Sequence, residues 1–562
     1  YSTLCHPLCV VTMAKKIRGR DIRTCGALIV LLYLVGAMQS SKVLQRMYES
    51  VSQQDEVDAT MPTISSGVNI TIPLAGTRTS QASSSSDIKI PIITENQKIA
   101  SRSALEDALE ETTRLLYKNS PHLDKWLSRP FPTLYVYDTL PKNWSDIPTI
   151  SKCIESKLLD KPGYKNCLWE PKEPCDDTEN PKNMFGRKCF MNYRANYNND
   201  VAYVPWFQNY PGKTTANASE ADLFVVPYPH WSHCICQRNM SLLATTCPYS
   251  VEVMKREVLD NLAFYEEQKD RHLFFLGVDW QMVRPAVRNQ LVDSMTISLG
   301  PTCPPGQPSS LCGHFVTPYV DTLRAYQPQT IQQLSLEWWT TRNRTFALGA
   351  AVSTREGFHE RIELIVNQST HLGDSVGGLP LRLLDLMDQR RQVSQYRLQG
   401  IYNESVFCPI LPGDACPQKR FFDVILNGCI PIVPTFTPSD DEDFPTFFRR
   451  EGSCSIRRTY PWSRGTFFGD NKTGVDYLSL VVQYDGVCGI PCMKPAMEQV
   501  MRNSTELTRL RTNLRDYARL VAFGLGRNRY KGVDGFSAML VAIRHYLFHL
   551  GSSSTEHVAG GG

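Results

Sequence analysis

From about Trp126 onward the chain alternates short, nearly unbroken apolar runs with stretches of helical period. Thr133–Tyr137 (TLYVY), Leu223–Val226 (LFVV), His272–Leu276 (HLFFL), Phe346–Val352 (FALGAAV), Val406–Leu411 and Cys429–Val433 (CIPIV) read as strands, being rich in β-branched and aromatic residues. Between them Ser250–Gln268 and His359–Asn367 carry helical patterns. Strands that are apolar throughout suit a parallel sheet covered on both faces. The pattern therefore predicts an α/β body with parallel sheets. About 420 residues is too much for one doubly wound sheet, so two Rossmann-like halves are expected, divided near Arg342–Phe346.

The pattern before Trp126 is different. Thr24–Ser41 carries no charge, and its Cys25–Met38 part is almost wholly apolar. Lys15, Lys16, Arg18, Arg20 and Arg23 precede it, which favours a signal anchor with a cytosolic N-terminus. A cleaved signal peptide is the rival reading, with Val35 and Ala37 as a passable cleavage pair. From Ser41 to Ile99 the chain is Ser/Thr/Gln-rich, with the low-complexity run SQASSSSD, and reads as a flexible stem. A short amphipathic helix is expected at Ala104–Leu116. The expected organisation is a basic tail (1–23), anchor (24–41), luminal stem (42–125), two halves (126–343 and 344–550) and a flexible tail (551–562).

Composition narrows the class. Sixty basic against 56 acidic side chains give a net charge of only +4, so nothing draws a polyanion and nucleic acid is not an expected partner. N-x-S/T sequons occur at Asn69, Asn143, Asn217, Asn239, Asn343, Asn367, Asn403, Asn471 and Asn503, an excess that points to a secretory surface. Of 18 Cys, 15 lie at or beyond Cys153, as an oxidising compartment allows, and the odd number leaves at least one free or paired with another chain. His230, His233, Cys234 and Cys236 could be drawn as a zinc site, but the spacing is irregular and disulfides explain it better, with Cys247, Cys303 and Cys312 as candidate partners. Cys408 and Cys429 read as buried thiols in apolar strands. The acidic run Asp440–Asp443 follows Pro438 and reads as a solvated turn, not a metal motif.

The densest segment is Phe407–Phe436, FCPILPGDACPQKRFFDVILNGCIPIVPTF. An apolar strand ends at Leu411, Pro412-Gly413-Asp414 turns the chain, and Pro417 suits the first position of a helix reaching Asn427, with Gly428 just past its end. On that helix Arg420, Asp423 and Asn427 share a polar face, while Phe421, Val424, Ile425 and Leu426 turn to the sheet. Helix-terminal N–H groups at a strand's carboxyl end suit a pyrophosphate, and Lys419 and Arg420 add positive charge. An ordinary βαβ unit with a solvated polar face would show the same spacing.

This segment resembles the signature of exostosin-like glycosyltransferases (glycosyltransferase family 47), matching at Phe407, Cys408, Pro412, Gly413, Asp414, Asp423, Leu426, Gly428, Cys429, Ile430 and Pro431. LYVYDTLPKNW (134–144), ADLFVVPYPHW (221–231), RHLFFLGVDW (271–280), FVTPY (315–319) and RTFALGAAVSTREGFHERIEL (344–364) resemble further family segments in the same order. Val278 stands where the family pattern has His, and the Cys-rich stretch 153–189 has no family counterpart. The resemblance implies a GT-B fold, two Rossmann-like domains facing a cleft, and inverting transfer from a nucleotide sugar, usually UDP-linked, to a glycan acceptor in the Golgi lumen. It implies no cofactor and no metal, because helix N–H groups and Arg/Lys can neutralise the departing diphosphate. Arg420 is then expected on the diphosphate and Asp423 on ribose or sugar hydroxyls. Gly413 and Asp414 would shape the loop, Lys419 would add charge, and Arg355 would be a second phosphate ligand. Asp279, at the carboxyl end of the HLFFL strand, is the expected base, with His230 and Asp138 as fallbacks. Family members assemble in pairs, which leaves a non-catalytic luminal partner subunit as the alternative, and a homo- or hetero-dimer as a possible assembly.

Overall fold

The computed structural model describes residues 95–138, 199–231, 254–256, 258–278, 280, 283, 285–300, 313–319, 335–354, 358–386, 395–411, 418–436, 460–464, 472–523, 530 and 532–559. The expected anchor, the stem up to Thr94, the Cys-rich stretch 153–189, the His233–Cys236 cluster with Cys247, Cys303 and Cys312, and the run Asp440–Asp443 lie outside them. Among the described residues no helix is long and apolar enough to cross a membrane.

Two sheets organise the mixed α/β body. The first joins β1 (Leu134–Val136), β2 (Leu223–Pro229), β3 (His272–Phe275), β4 (Met295–Ser298) and β5 (His314–Val316) in that order, every neighbour parallel. β2 to β5 are buried on both faces, while the edge strand β1 is half-buried at Tyr135 and Val136. Leu223, Val225, Leu273, Phe275 and Ile297 join one core, together with Tyr203, Trp206 and Phe207 of a helix at Asn199–Gln208. Phe224, Val226, Phe274 and Leu276 face a second core with Leu262, Tyr265, Val287 and Leu291. Alternate side chains of a strand point to opposite faces, so both layers must be apolar for the strand to sit between them.

The second sheet takes β6 (Phe346–Val352), β7 (Ser375–Val376), β8 (Leu379–Asp385), β9 (Ser405–Pro409), β10 (Ile430–Thr435) and β11 (Val482–Asp485) in the order β11-β10-β9-β6-β8-β7. All pairs are parallel except the edge pair β7–β8. Six of the strands coincide with expected apolar runs, whereas β4, β5, β7, β8 and β11 were not anticipated.

The helices, in chain order, are α1 (Glu95–Tyr117), α2 (Leu123–Leu127), α3 (Asn199–Gln208), α4 (Pro285–Leu291), α5 (Leu336–Thr340), α6 (His359–Val366), α7 (Gln395–Glu404), α8 (Lys419–Leu426), α9 (Ile490–Arg502), α10 (Ser504–Val521) and α11 (Gly535–Ala559). The expected helix at Ala104–Leu116 forms within α1, which begins inside the stretch read as flexible stem. It buries Leu105, Leu109, Thr112, Leu116 and Tyr117 at helical spacing, so this part of the expected luminal stem (42–125) belongs to the core. The expected helix Ser250–Gln268 does not form as one element. Met254–Arg256 is helical, Leu259–Asn261 is a 3-10 turn, and Leu262 is extended. Asn261 Nδ2 donates to Arg256 O at 3.1 Å, a side-chain bond that competes with helix continuation.

Cys408 and Cys429 are not free thiols; they form a disulfide with Cα atoms 5.9 Å apart. Cys408 lies on β9 opposite Pro431 and Cys429 leads directly into β10, so parallel pairing brings the two together. Cys488 and Cys492 form a second bridge at the start of α9. Of the sequons, Asn217, Asn343, Asn367 and Asn503 are exposed and Asn403 is half-buried.

Candidate functional site

In the second sheet the strand that comes first in sequence, β6, lies between the second parallel strand, β8, and the third, β9. Chain connections therefore leave β6 in opposite directions across the sheet, and the carboxyl ends of β6 and β9 flank the reversal. Open α/β sheets bind ligands in the crevice at such a switch point. The loop after β6 starts with Ser353 and Thr354, and the loop after β9 runs from Leu411 to Gln418. Gln418 Nε2 donates to Leu411 O at 2.7 Å, closing the neck of that second loop. Thr354 is held from the neighbouring strand: its N–H donates to Asp385 Oδ1 at 3.3 Å and its hydroxyl donates to Asp385 Oδ2.

The helix α8 starts at this crevice and is shorter than the expected Pro417–Asn427, with Gln418 and Asn427 as its caps. Gln418 makes no side-chain cap bond, so the first-turn N–H groups are not capped by it. Gly428 follows with φ +67°, the left-handed conformation that ends a helix. Arg344 Nη2 donates to Gly428 O at 3.0 Å, adding positive charge at the helix C-terminus.

The face read as polar is enclosed rather than solvated. Asp423 is 5% exposed and both its oxygens accept from Lys419 Nζ at 2.7 Å. Asn427 is fully buried and donates to Asp423 O at 2.8 Å. Lys419 and Asp423 are thus brought together as an ion pair with each other. Arg420 is half-buried, and its Nη1 is enclosed without a hydrogen-bond partner among the described residues. Leaving a buried guanidinium nitrogen unsatisfied costs about 1–3 kcal/mol, which an anion at the helix N-terminus would recover. Gly413, Asp414 and Arg355 lie outside the described residues.

The carboxyl edge of the first sheet carries the other candidates. His230, 2% exposed, follows β2, where the register against β3 shifts between Val225 and Pro229. Such bulges re-aim the side chains that follow them. Burial holds the His230 imidazole down at about 4, so it is neutral at neutral pH, and its Nδ1 has no hydrogen-bond partner among the described residues. Asp138, after β1, is exposed. The expected base Asp279 lies outside the described residues, though its loop begins at Gly277, φ +71°.

One residue here escaped sequence reasoning. Asp200, 1% exposed in the first turn of α3, fills the space a Cβ on Gly277 would take, its Cγ 2.6 Å from that position. The only sequence signal is a run of Asn and Asp ahead of a helix, which reads as a cap. Beside it, Asn199 donates to Pro318 O, and Tyr203 O–H and Thr317 Oγ1 share a 2.5 Å hydrogen bond. The Tyr319 ring then lies tilted against Phe422 of α8, centroids 6.1 Å apart. This contact sets the carboxyl edge of β5 against α8.

No three His, Cys, Asp or Glu side chains among the described residues are grouped to hold a metal ion. Compared with models of known protein families and with curated proteins, the chain matches none.

Proposed function

We propose that this chain is an inverting glycosyltransferase of GT-B type, taking a sugar from a nucleotide donor, UDP-linked, to a glycan hydroxyl in the Golgi lumen. The observation that carries the reading is the switch point between β6 and β9, with the first turn of α8 beside it and Arg420 Nη1, which has no hydrogen-bond partner among the described residues. The resemblance of Phe407–Phe436 to the exostosin-like signature supports it, because the described residues of that segment form β9, α8 and the start of β10, the elements beside this crevice. In the proposed reaction the acceptor oxygen attacks the anomeric carbon from the face opposite the diphosphate. The sugar–phosphate C–O bond breaks, the diphosphate leaves with the electron pair, and a base takes the hydroxyl proton. Arg420 and the α8 N–H groups meet the charge developing on the leaving group. The Lys419–Asp423 pair fixes the helix beneath them. The base comes from the loop after β3, where Asp279 follows Val278.

The test is calorimetric titration of UDP into wild type and Arg420→Ala, with circular dichroism to establish folding. A charge-assisted contact to diphosphate is worth ~1.5–3 kcal/mol, so binding about ten- to hundredfold weaker is expected. Equal affinity in a folded variant would move the donor site elsewhere.

A further inference from the structure

In a parallel sheet a segment that ends a crossover helix and leads into the next strand lies at the amino edge, opposite the loops that open the crevice. The five sequons among the described residues all stand at such an edge. Asn343 comes just before Phe346, the first residue of β6, and Asn403 just before Ser405, the first of β9; Phe346 and Ser405 pair across the sheet. Asn367 ends α6, the helix after β6, and Asn503 ends α9, the helix after β11. Met501 fixes the far end of α9 at this edge, its Cε 2.6 Å from where a Cβ on Gly377, in the turn leading into β8, would stand. In the first sheet Thr214 and Leu223 both pair with Leu134, the first residue of β1. The segment between them, which carries Asn217, therefore begins and ends at the amino edge.

Four of the five are accessible. Asn217, Asn343, Asn367 and Asn503 are exposed. Asn503 Oδ1 accepts from Glu506 N–H at 3.1 Å, capping α10, and Asn217 Oδ1 accepts from Ser219 N–H at 3.1 Å. Asn217 Nδ2 donates to Glu220 Oε1 at 3.2 Å, which uses one of its two protons. A glycan takes the place of a single Nδ2 proton, so none of these bonds has to break. Val366, directly before Asn367, is 67% exposed, an apolar side chain that a glycan on Asn367 would cover. Asn403 differs. It is half-buried, and Ser405 of its sequon is fully buried with its hydroxyl donated to Ile401 O at 2.6 Å.

We propose that Asn217, Asn343, Asn367 and Asn503 carry N-linked glycans, and that these glycans stand on the amino edges of the two sheets and leave the β6–β9 crevice uncovered. The proposal rests on the luminal, donor-binding reading above and adds the modified positions and the side they occupy. In the modification each Asn Nδ2 bonds to the anomeric carbon of an oligosaccharide carried on a lipid diphosphate. The sugar–phosphate C–O bond breaks, the lipid diphosphate leaves with the electron pair, and one Nδ2 proton passes to a base of the transferring enzyme.

The experiment expresses the full chain in cultured eukaryotic cells. N-glycans are removed from the denatured protein by an amidase in water labelled with heavy oxygen, which leaves a labelled Asp at each modified position for peptide mass spectrometry. Label is expected at Asn217, Asn343, Asn367 and Asn503 in most molecules. In a second arm the glycans are removed from the folded protein, and UDP is titrated by calorimetry before and after, with thermal melting to establish folding. The affinity is expected to be the same in both forms. A changed affinity in a protein that still melts cooperatively would put a glycan over the crevice and overturn the sidedness. Label at other sequons while any of these four stays bare would overturn the proposal alone, whereas no label at any of the nine sequons would overturn the luminal reading. Absence of UDP binding in both forms would overturn the donor-site reading, and the labels would still decide this proposal.

Discussion

Removing the Cys408–Cys429 bridge should destabilise the second sheet by about 3.3 kcal/mol. The two cysteines are 21 residues apart, and the closed loop contains the end of β9, the loop from Leu411 to Gln418 and the whole of α8. A cross-link over about 21 residues removes roughly 11 cal/mol/K of denatured-state entropy, which at 25 °C is the ~3.3 kcal/mol quoted. Both side chains are fully buried, so truncation to Ala adds a void cost of up to about 1 kcal/mol. The assay is urea unfolding of Cys408→Ala/Cys429→Ala followed by tryptophan fluorescence. Trp338 and Trp339 report on this region, since a Cβ on Gly428 would lie 3.2 and 3.3 Å from their rings. With a slope of about 3 kcal/mol/M, the midpoint should fall by about 1 M. Two results would refute the reasoning: an unshifted midpoint, or alkylation of Cys408 and Cys429 in the unreduced, denatured wild-type chain.

Gly349→Ala should cost about 1–3 kcal/mol in thermal or urea unfolding, because the new methyl would lie 2.1 Å from Ser405 Oγ and 2.8 Å from its Cβ; an unchanged midpoint would mean β6 and β9 can part there. Burial lowers His230, His272 and His314 to about 4 each, so the folded state resists protonation that the unfolded chain accepts near 6.5. Stability should be fully present above pH 6.5 and decline as pH falls toward 4, by at most about 3 kcal/mol per histidine; urea midpoints equal at pH 7.5 and 4.5 would contradict this. On the proposed function, in which Arg420 and the α8 N–H groups would supply the positive charge, sugar transfer should persist in EDTA, with modest stimulation by manganese tolerated. Complete loss that added manganese restores, reproduced by changing Asp441 and Asp443 to Asn, would make the acidic run a metal site.

What could be read in advance was set by local pattern. β2, β3, β6 and β10 are continuous apolar runs, which nothing but a sheet buried on both faces accommodates easily. β4 (MTIS) and β11 (VQYD) are four residues each, and β8 (LPLRLLD) holds Pro380 and Arg382, which weaken its strand signal. At the site, the four-residue spacing of Lys419 and Asp423 was legible, but not the burial that turns them toward each other. Asp385 could not be reached from sequence. It stands 31 residues beyond Thr354, and only the crossing of β8 to the far side of β6 brings the two together. Cys408 and Cys429 were judged by their apolar surroundings, whereas strand register decided their pairing.

The last long helix has a bearing on how the chain is made. Thr112 and Ser537 hydroxyls meet at 2.9 Å, Tyr117 O–H reaches His545 Nδ1 at 2.8 Å, and Phe536 stacks on Trp206 at 5.3 Å. α11 thus covers helices that belong to the first sheet. During synthesis the strands of that sheet are complete once Val316 has emerged, yet the covering helix begins only at Gly535. At ~5–20 residues per second the interval is on the order of ten to forty seconds. Through that time Tyr203 and Trp206 lack their ring contacts with Phe536. The first half of the body therefore waits for its covering helix, and a chain terminated before Gly535 would leave the contacts of Phe536 with Tyr203 and Trp206 unmade.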